Sequence, residues 1–514
     1  MVYENYLLGI DAGTSNIKAV VFNLKGEELF VEEKNNTIIT KHRTWTEQNM
    51  NLLWEDFCFV VRNVLINNGI NPKSILGVGI TGQGEGCWLI DNQGNPVRDA
   101  ILLSDGRAID IVESIKTDEK MTCKIKGITG SHPFPGATSI ILKWLSMHEK
   151  ETLDKAYGCI FCKDWLRYKL TGSLCLETTD TSTSLLDLIT GEISEEILDI
   201  LGIGEYKFLF KPLSNSCKLV GRVTKEASDL TGLLEGTPVS AGLMDIVAAA
   251  VGMAAVEEGD SCTILGTTCC NSVVRKSCYV NGENTSGFEC HAIQDLYLNV
   301  IASMAGTPNL DWAINTFFQS EKEEAKKIGK DIYEILEESI KDIAPGSGGI
   351  IYHPYISTGG ERAPFFNPNA RAQFFGISSN ANKHHILKSI YEGVALSIKD
   401  CLQDVESKGR IYLGGGGGKS YYWAQIIADC TGKEVVIQSG KEYAAKGAAL
   451  SAGVAMGVYS SISEAALSVL RIKKTFIPNE KNKVMYDKIY KLYRGLREIE
   501  SHYWNLRSEI FHGN

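Results

Sequence analysis

The chain has 514 residues, 44% of them apolar and 22% charged, a globular composition too large for one core, so two large domains are expected. Its 62 acidic and 52 basic residues give a formal net charge of -10, and no basic block stands ready to neutralise a nucleic-acid backbone. No run of about 18 uncharged apolar residues marks a membrane span, and "MVYENYLLG" lacks the layout of a signal peptide; a cytoplasmic protein without membrane or nucleic-acid partners is expected.

In chain order, "LLGID" and "IKAVVF" read as two strands joined by a turn, with Asp11 just ahead of Gly13-Thr14-Ser15. From Met50 the apolar residues Leu53, Trp54, Phe57, Val61, Val64 and Leu65 keep spacings of three and four, predicting a helix that Gly69 stops. "ILGVGITGQG" then reads as a buried strand ending in a glycine-rich loop. This alternation makes the class α/β. The 14 cysteines have no regular spacing and are expected to be reduced.

An internal echo organises the chain. Gly13, Thr14, Ser15, Val20 and Val21 are matched by Gly266, Thr267, Thr268, Val273 and Val274, about half a chain later. A Gly-Thr turn suits any hairpin, because glycine tolerates positive φ. Two related copies point further, since such turns expose consecutive N–H groups that cradle phosphate oxygens. Two residues before each glycine stand Asp11 and Ile264, so only the first copy carries an acid toward a divalent metal.

Loops after apolar strands supply a polar set, Gln83 and Glu85 in "GQGEG" and Asp105 and Arg107 in "LLSDGRA", suited to the hydroxyls of a polyol. In "VSAGLMDIVAAAVGMAA" the solitary Asp245 precedes an alanine-rich helix, either as its N-cap or as a poised base. "LGGGGGKSYYWAQIIADCTG" fails the Walker pattern at Leu413, yet its glycines admit a flat ligand, and Ser420 lies where helix N–H groups point outward. His384 and His385 are adjacent and are expected at the surface; neither zinc spacing nor a G-x-S-x-G elbow occurs.

These segments resemble, in order and over nearly the whole chain, the FGGY family of carbohydrate kinases. "GIDAGTSNIKAVVF" is similar to its first phosphate hairpin and "ILGTT" to its second. "KDWLRYKLTG" (163–172), "YHPYISTGGERAPFFNPNARAQFFGI" (352–377), the five-glycine run and "EYAAKGAALSAG" (442–453) are similar to its later motifs.

The resemblance implies a duplicated two-domain actin-like ATPase (ribonuclease H-like) fold with the site in the interdomain cleft. Residues 1–246 would form the sugar-binding domain and 247–514 the ATP-binding domain. It implies transfer of the γ-phosphoryl group of ATP to a sugar hydroxyl, with Mg²⁺ beside Asp11 and Asp245 as catalytic base. Thr14, Ser15, Gly266, Thr267, Thr268, Gly306, Gly416 and Ser420 would line the nucleotide, and Gln83, Glu85, Asp105, Arg107 and Asp245 the sugar. A second copy of the chain, as a homodimer, is the remaining partner considered.

Substrate loops depart from the family's patterns. Where D-xylulose kinases read Q-M-H-G and W-N-D-G-R, this chain has "QGEG" and "LSDGR"; kinases of L-xylulose carry Q-G-K-G, so Glu85 replaces Lys there. A ketopentose such as L-xylulose or D-xylulose is the expected substrate. The alternatives are a glycerol- or erythritol-type polyol kinase and a non-catalytic nucleotide-binding regulatory protein.

Overall fold

Tyr6–Ala12 (β1) and Asn16–Asn23 (β2) pair antiparallel, with Leu8 opposite Val21 and Ala12 opposite Ile17. The computed structural model to which they belong describes residues 4–279, 285–403, 405 and 407–512. Numbering only the strands of the two large sheets, the first continues with Glu28–Asn35 (β3), Ile75–Gly82 (β4), Leu219–Arg222 (β5), Pro238–Ser240 (β6) and Leu243–Met244 (β7). Its order is β5-β6-β4-β1-β2-β3, with β7 also on β4.

The second sheet comprises Ser261–Leu265 (β8), Cys269–Arg275 (β9), Gly287–Cys290 (β10), Tyr297–Ser303 (β11), Ile411–Gly414 (β12), Val435–Gln438 (β13) and Ile472–Phe476 (β14). Its order is β10-β11-β9-β8-β12-β13-β14. From β3 to β5 the pairings run antiparallel, antiparallel, parallel, parallel, antiparallel. From β11 to β14 they run in the same sequence. The echo is therefore a duplicated sheet, and β10 is an added edge.

The duplication corrects one detail. Ser261 and Leu8 each lie five residues before their turn glycine, and they face Val273 and Val21. Val273 thus corresponds to Val21 rather than Val20, because the second turn is one residue shorter between its last paired residues, Leu265 and Cys269.

Met50–Asn67 (α1) forms as its periodicity predicts, capped by Asn49, whose side chain accepts the Leu52 N–H. Its buried stripe includes Leu53, Phe57, Val61 and Val64, each adding about 1.5–3 kcal/mol of apolar burial. Further helices position the polar groups: Thr138–His148 (α2), Cys162–Thr171 (α3), Thr178–Thr181 (α4), Asp245–Gly252 (α5), Tyr421–Thr431 (α6) and Tyr443–Ala455 (α7).

Helices α5 and α7 cross in the seam between the sheets, where only glycine fits. A Cβ on Gly252 would stand 1.9 Å from the Tyr443 carbonyl oxygen, and one on Gly447 2.0 Å from that of Ala248. All 14 cysteines are free, and no helix among the described residues is long and apolar enough to cross a membrane. His384 and His385 are partly buried in a helix's first turn, where His385 Nδ1 meets Asn382 Oδ1 at 2.9 Å, because Asn382 caps that turn.

Candidate functional site

Both Gly-Thr turns end their hairpins with exposed hydroxyls: Thr14 and Ser15 on the first, Thr267 and Thr268 on the second. The second is braced by Gly306. A Cβ there would sit 2.3 Å from the Gly266 oxygen, which accepts the Thr307 N–H at 2.7 Å. Gly417 is forced to be small by Leu265, whose side chain would lie 2.4 Å from an added Cβ. Gly416 faces open space, with Thr307 4.0 Å from its Cβ position as the nearest group. The glycine run thus packs on β8 while leaving one bare face. Ser420 is the N-cap of α6; its hydroxyl accepts the Trp423 N–H at 2.8 Å, which leaves less of it for a ligand.

Asp11 lies near the end of β1 and Asp245 opens α5. The N-cap position of α5 belongs to Met244, so Asp245 is not the cap; its Oδ1 accepts the Ile246 N–H at 2.7 Å. Burial lifts Asp245 from an ordinary 3.8 to about 6. Burial, and then the charge of Asp245, lift Asp11 to about 7, against the pull of Lys18. Lys18 itself is held by Glu442 at 2.9 Å.

Gln83 joins the hairpin to the "GQGEG" loop. Its Oε1 accepts the Thr14 hydroxyl at 3.1 Å and its Nε2 donates to Gln48 Oε1 at 2.8 Å. Glu85 follows at φ +58°, a left-handed position that aims its carboxylate inward. Its Oε2 accepts the backbone N–H of Thr138 at 2.6 Å and the Ser184 hydroxyl at 3.2 Å. Glu85 thereby supplies an anion to the N-terminus of α2, whose own cap residue Ala137 has none to give. Its Oε1 is buried without a partner, and burial lifts the group to about 7.

Asp105 and Arg107 form a separate cluster. Asp105 Oδ1 accepts from the backbone N–H and Nε of Arg107, both at 2.8 Å; Oδ2 accepts from Thr46 N–H at 2.7 Å and the guanidinium at 2.9 Å. Arg107 also donates to Glu47 and lies over the rings of Trp45 and Trp144, 4.4 and 5.2 Å from their centroids. Asp105 is therefore the holder of Arg107 and not a free acceptor for hydroxyls, because four N–H groups already occupy its carboxylate. Arg107 NH1, buried and unpartnered, is the one guanidinium nitrogen left for a ligand.

Two features escape the sequence reading. One is the scaffold of Asp245: Lys163 on α3 meets Asp164, Glu177 and Asp180 at 3.1, 3.2 and 2.5 Å, and those carboxylates raise it despite its burial. Thr179 donates to Glu177 at 2.7 Å and accepts the Met244 N–H at 2.9 Å, fixing the residue before Asp245. "KDWLRYKLTG" was its only signal. The other is Glu289 on β10, buried beside Asp245, Glu85 and Asp180; a lone acid in "GFEC" gives no signal at all.

Among the described residues no three His, Cys, Asp or Glu side chains converge as a metal-ligand set. Asp11, a single raised carboxylate with exposed turn hydroxyls beside it, fits a hard cation completed by phosphate and water oxygens. A cavity of about 470 Å³ between Glu28, Gly440, Lys446 and Arg471 includes none of these residues.

The chain matches the N-terminal domain of the FGGY family of carbohydrate kinases over residues 6–252 and the C-terminal domain over 261–456. It is 28% identical over 513 residues to the L-xylulose/3-keto-L-gulonate kinase of Escherichia coli (strain K12), covering 96% of each chain. It is 27% identical to the erythritol kinase of Brucella abortus (strain 2308), covering 97% of each. Among solved structures, the ligand-bound xylulose kinase of Lactobacillus acidophilus superposes with a TM-score of 0.88 at 22% identity, covering 98% of this chain and all of that one. With its duplicated sheets and actin-like ATPase fold, the chain belongs to the FGGY family of carbohydrate kinases, and it is a phosphotransferase.

Proposed function

We propose that the protein transfers the γ-phosphoryl group of ATP to a hydroxyl of a small neutral sugar, a ketopentose first. The observation that carries this reading is Asp245, a raised carboxylate that opens α5 and acts electrostatically on Asp11 below the first Gly-Thr turn. Asp245 takes the proton of the attacking hydroxyl. That oxygen bonds to the γ-phosphorus as the bond to the β–γ bridging oxygen breaks, leaving ADP. Asp11 holds Mg²⁺, which when bound neutralises phosphate charge.

Thr14, Ser15, Thr267 and Thr268, with the N–H groups of the two turns and the bare face at Gly416, hold the phosphates and the nucleotide. Gln83, Glu85 and Arg107 NH1 serve the sugar side. In this proposal the division falls after residue 246: the first part carries the sugar loops and, at Thr14 and Ser15, one of the two phosphate turns, and the second part carries the other nucleotide groups. The erythritol kinase relative and the acid at Glu85 support a polyol as the second substrate reading.

A coupled ADP-release assay over pentuloses, tetritols, glycerol and hexoses tests the proposal. Turnover with a member of the panel is expected. No stimulation by any of them, with ATP binding absent in calorimetry, overturns it.

A further inference from the structure

The segment that includes α4 ties three acids from different parts of the chain to one place. Thr179 holds the Met244 N–H ahead of Asp245, and Ser184 donates to Glu85 Oε2 at 3.2 Å. Ser182 accepts the Cys290 N–H at 2.9 Å, which docks β10 of the second sheet and its neighbour Glu289 onto the first half. Phe288 donates its N–H to the Gly130 oxygen at 3.2 Å and fixes the other side of Glu289. Asp180 belongs to the same segment; its Oδ1 lies 3.3 Å from the Cβ position of Gly84, inside the "GQGEG" loop.

The acids these contacts gather are Glu85, Asp180 and Glu289, which are 2%, 1% and 6% exposed, with Asp245 beside them. Glu85 Oε1, Asp180 Oδ1 and Glu289 Oε2 are buried without hydrogen-bond partners. Buried polar atoms are satisfied in nearly all proteins, so three unpartnered carboxyl oxygens on groups close enough to act on one another's charge call for hydrogen bonds from the hydroxyls of a ligand. Lys163 is the cation in contact, on the far oxygen of Asp180. Cys270 lies nearby as a thiol with its ionisation pushed up by burial, and His291, lowered to about 4 by burial, is neutral. Arg107 is committed to Asp105 and Glu47.

We propose that Glu289, contributed by the second half, is a specificity residue of the sugar pocket. With Glu85 and Asp180 it presents acceptor oxygens to the hydroxyls of a neutral polyhydroxylated substrate and excludes sugars that carry a carboxylate. This rests on the kinase reading above. A sugar acid would bring its anion into a region of low dielectric where Lys163 and Arg107 are already committed to carboxylates, and burial and mutual charge already hold Glu289 and Asp180 well above the usual carboxylate range, whereas a neutral chain brings hydroxyls and no charge. Because β10 belongs to the second sheet, the acceptor wall is complete only with both halves present.

The test compares a neutral ketopentose with the keto-aldonic acid of matching chain length, by steady-state kinetics at pH 7.5, for the wild type, Glu289→Gln and Glu289→Asp. In the wild type the neutral sugar is expected to exceed the acid at least 100-fold in kcat/KM. Glu289→Gln should raise the neutral sugar's KM about tenfold, leave the KM for ATP within twofold, and narrow the discrimination at least tenfold. Glu289→Asp should restore much of it.

Equal turnover of acid and neutral sugar by the wild type overturns the inference. So does an unchanged neutral KM in Glu289→Gln. If Glu289→Gln does not fold, the same comparison with Glu85→Gln decides, since its orphaned oxygen serves the same wall. In all of these outcomes the wild type is an active kinase and the kinase reading stands. A wild type that phosphorylates no sugar in either class removes that reading, and this inference with it.

Discussion

The charge of Asp245 raises Asp11, although one side chain opens a helix and the other belongs to a strand more than 230 residues earlier. Two carboxylates that disfavour each other's ionisation make a place where a cation and a transferable proton are both welcome. Replacing Asp245 with Asn should cost roughly 10²–10⁴-fold in kcat, the usual contribution of a general base, while calorimetry finds ATP affinity retained. Retained turnover in that variant would remove Asp245 from the role of base.

Asp11→Asn is expected to act on the other substrate. The Mg²⁺ concentration for half-maximal velocity should rise at least tenfold, with sugar binding unchanged in the absence of nucleotide. An unaltered Mg²⁺ requirement removes Asp11 from the metal.

A base must be ionised to accept a proton, and Asp245 is lifted to about 6. The log of kcat/KM for the sugar should therefore climb with pH up to about 6 and level off above it. A profile flat from pH 5 to 8 would contradict this assignment.

Glu85 bears on stability with the opposite sign. Its folded value of about 7 lies above the ordinary 4.5, so its contribution is fully present below 4.5 and is lost as pH rises through 7. Thermal melts of the ligand-free protein should show a component falling between pH 5 and 8. Glu85→Gln should flatten that slope, and an unchanged slope would contradict the shift.

Removing Asp105 leaves Arg107 buried beside Glu47 alone. Asp105→Ala should cost about 3–5 kcal/mol in urea unfolding, as breaking a buried ion pair does. A loss of sugar affinity without that loss of stability would restore Asp105 as a direct ligand.

The parts legible in sequence were those written locally. Alternating strands, Gly13 and Gly266, and the spacing from Met50 to Leu65 announced their own structures, because turns and amphipathic faces depend on neighbouring residues. The commitments of Asp105 were not legible because its partners include Thr46, which reaches it only through the fold. Glu289 was invisible because it becomes part of a site only when β10 docks on Ser182. The slip between Val20 and Val273 came from one residue of turn length, which an ungapped comparison does not register.

The crossing of α5 and α7 has the character of a bearing without teeth. At Gly252 and Gly447 backbone lies against backbone, so no ridge of side chains interlocks there with a groove. At these two points movement is limited by backbone contact and not by a side-chain rotamer. The same bareness makes the joint intolerant: a single methyl at either glycine would be a wedge between the halves, spreading the Gly-Thr turns from the acids below them.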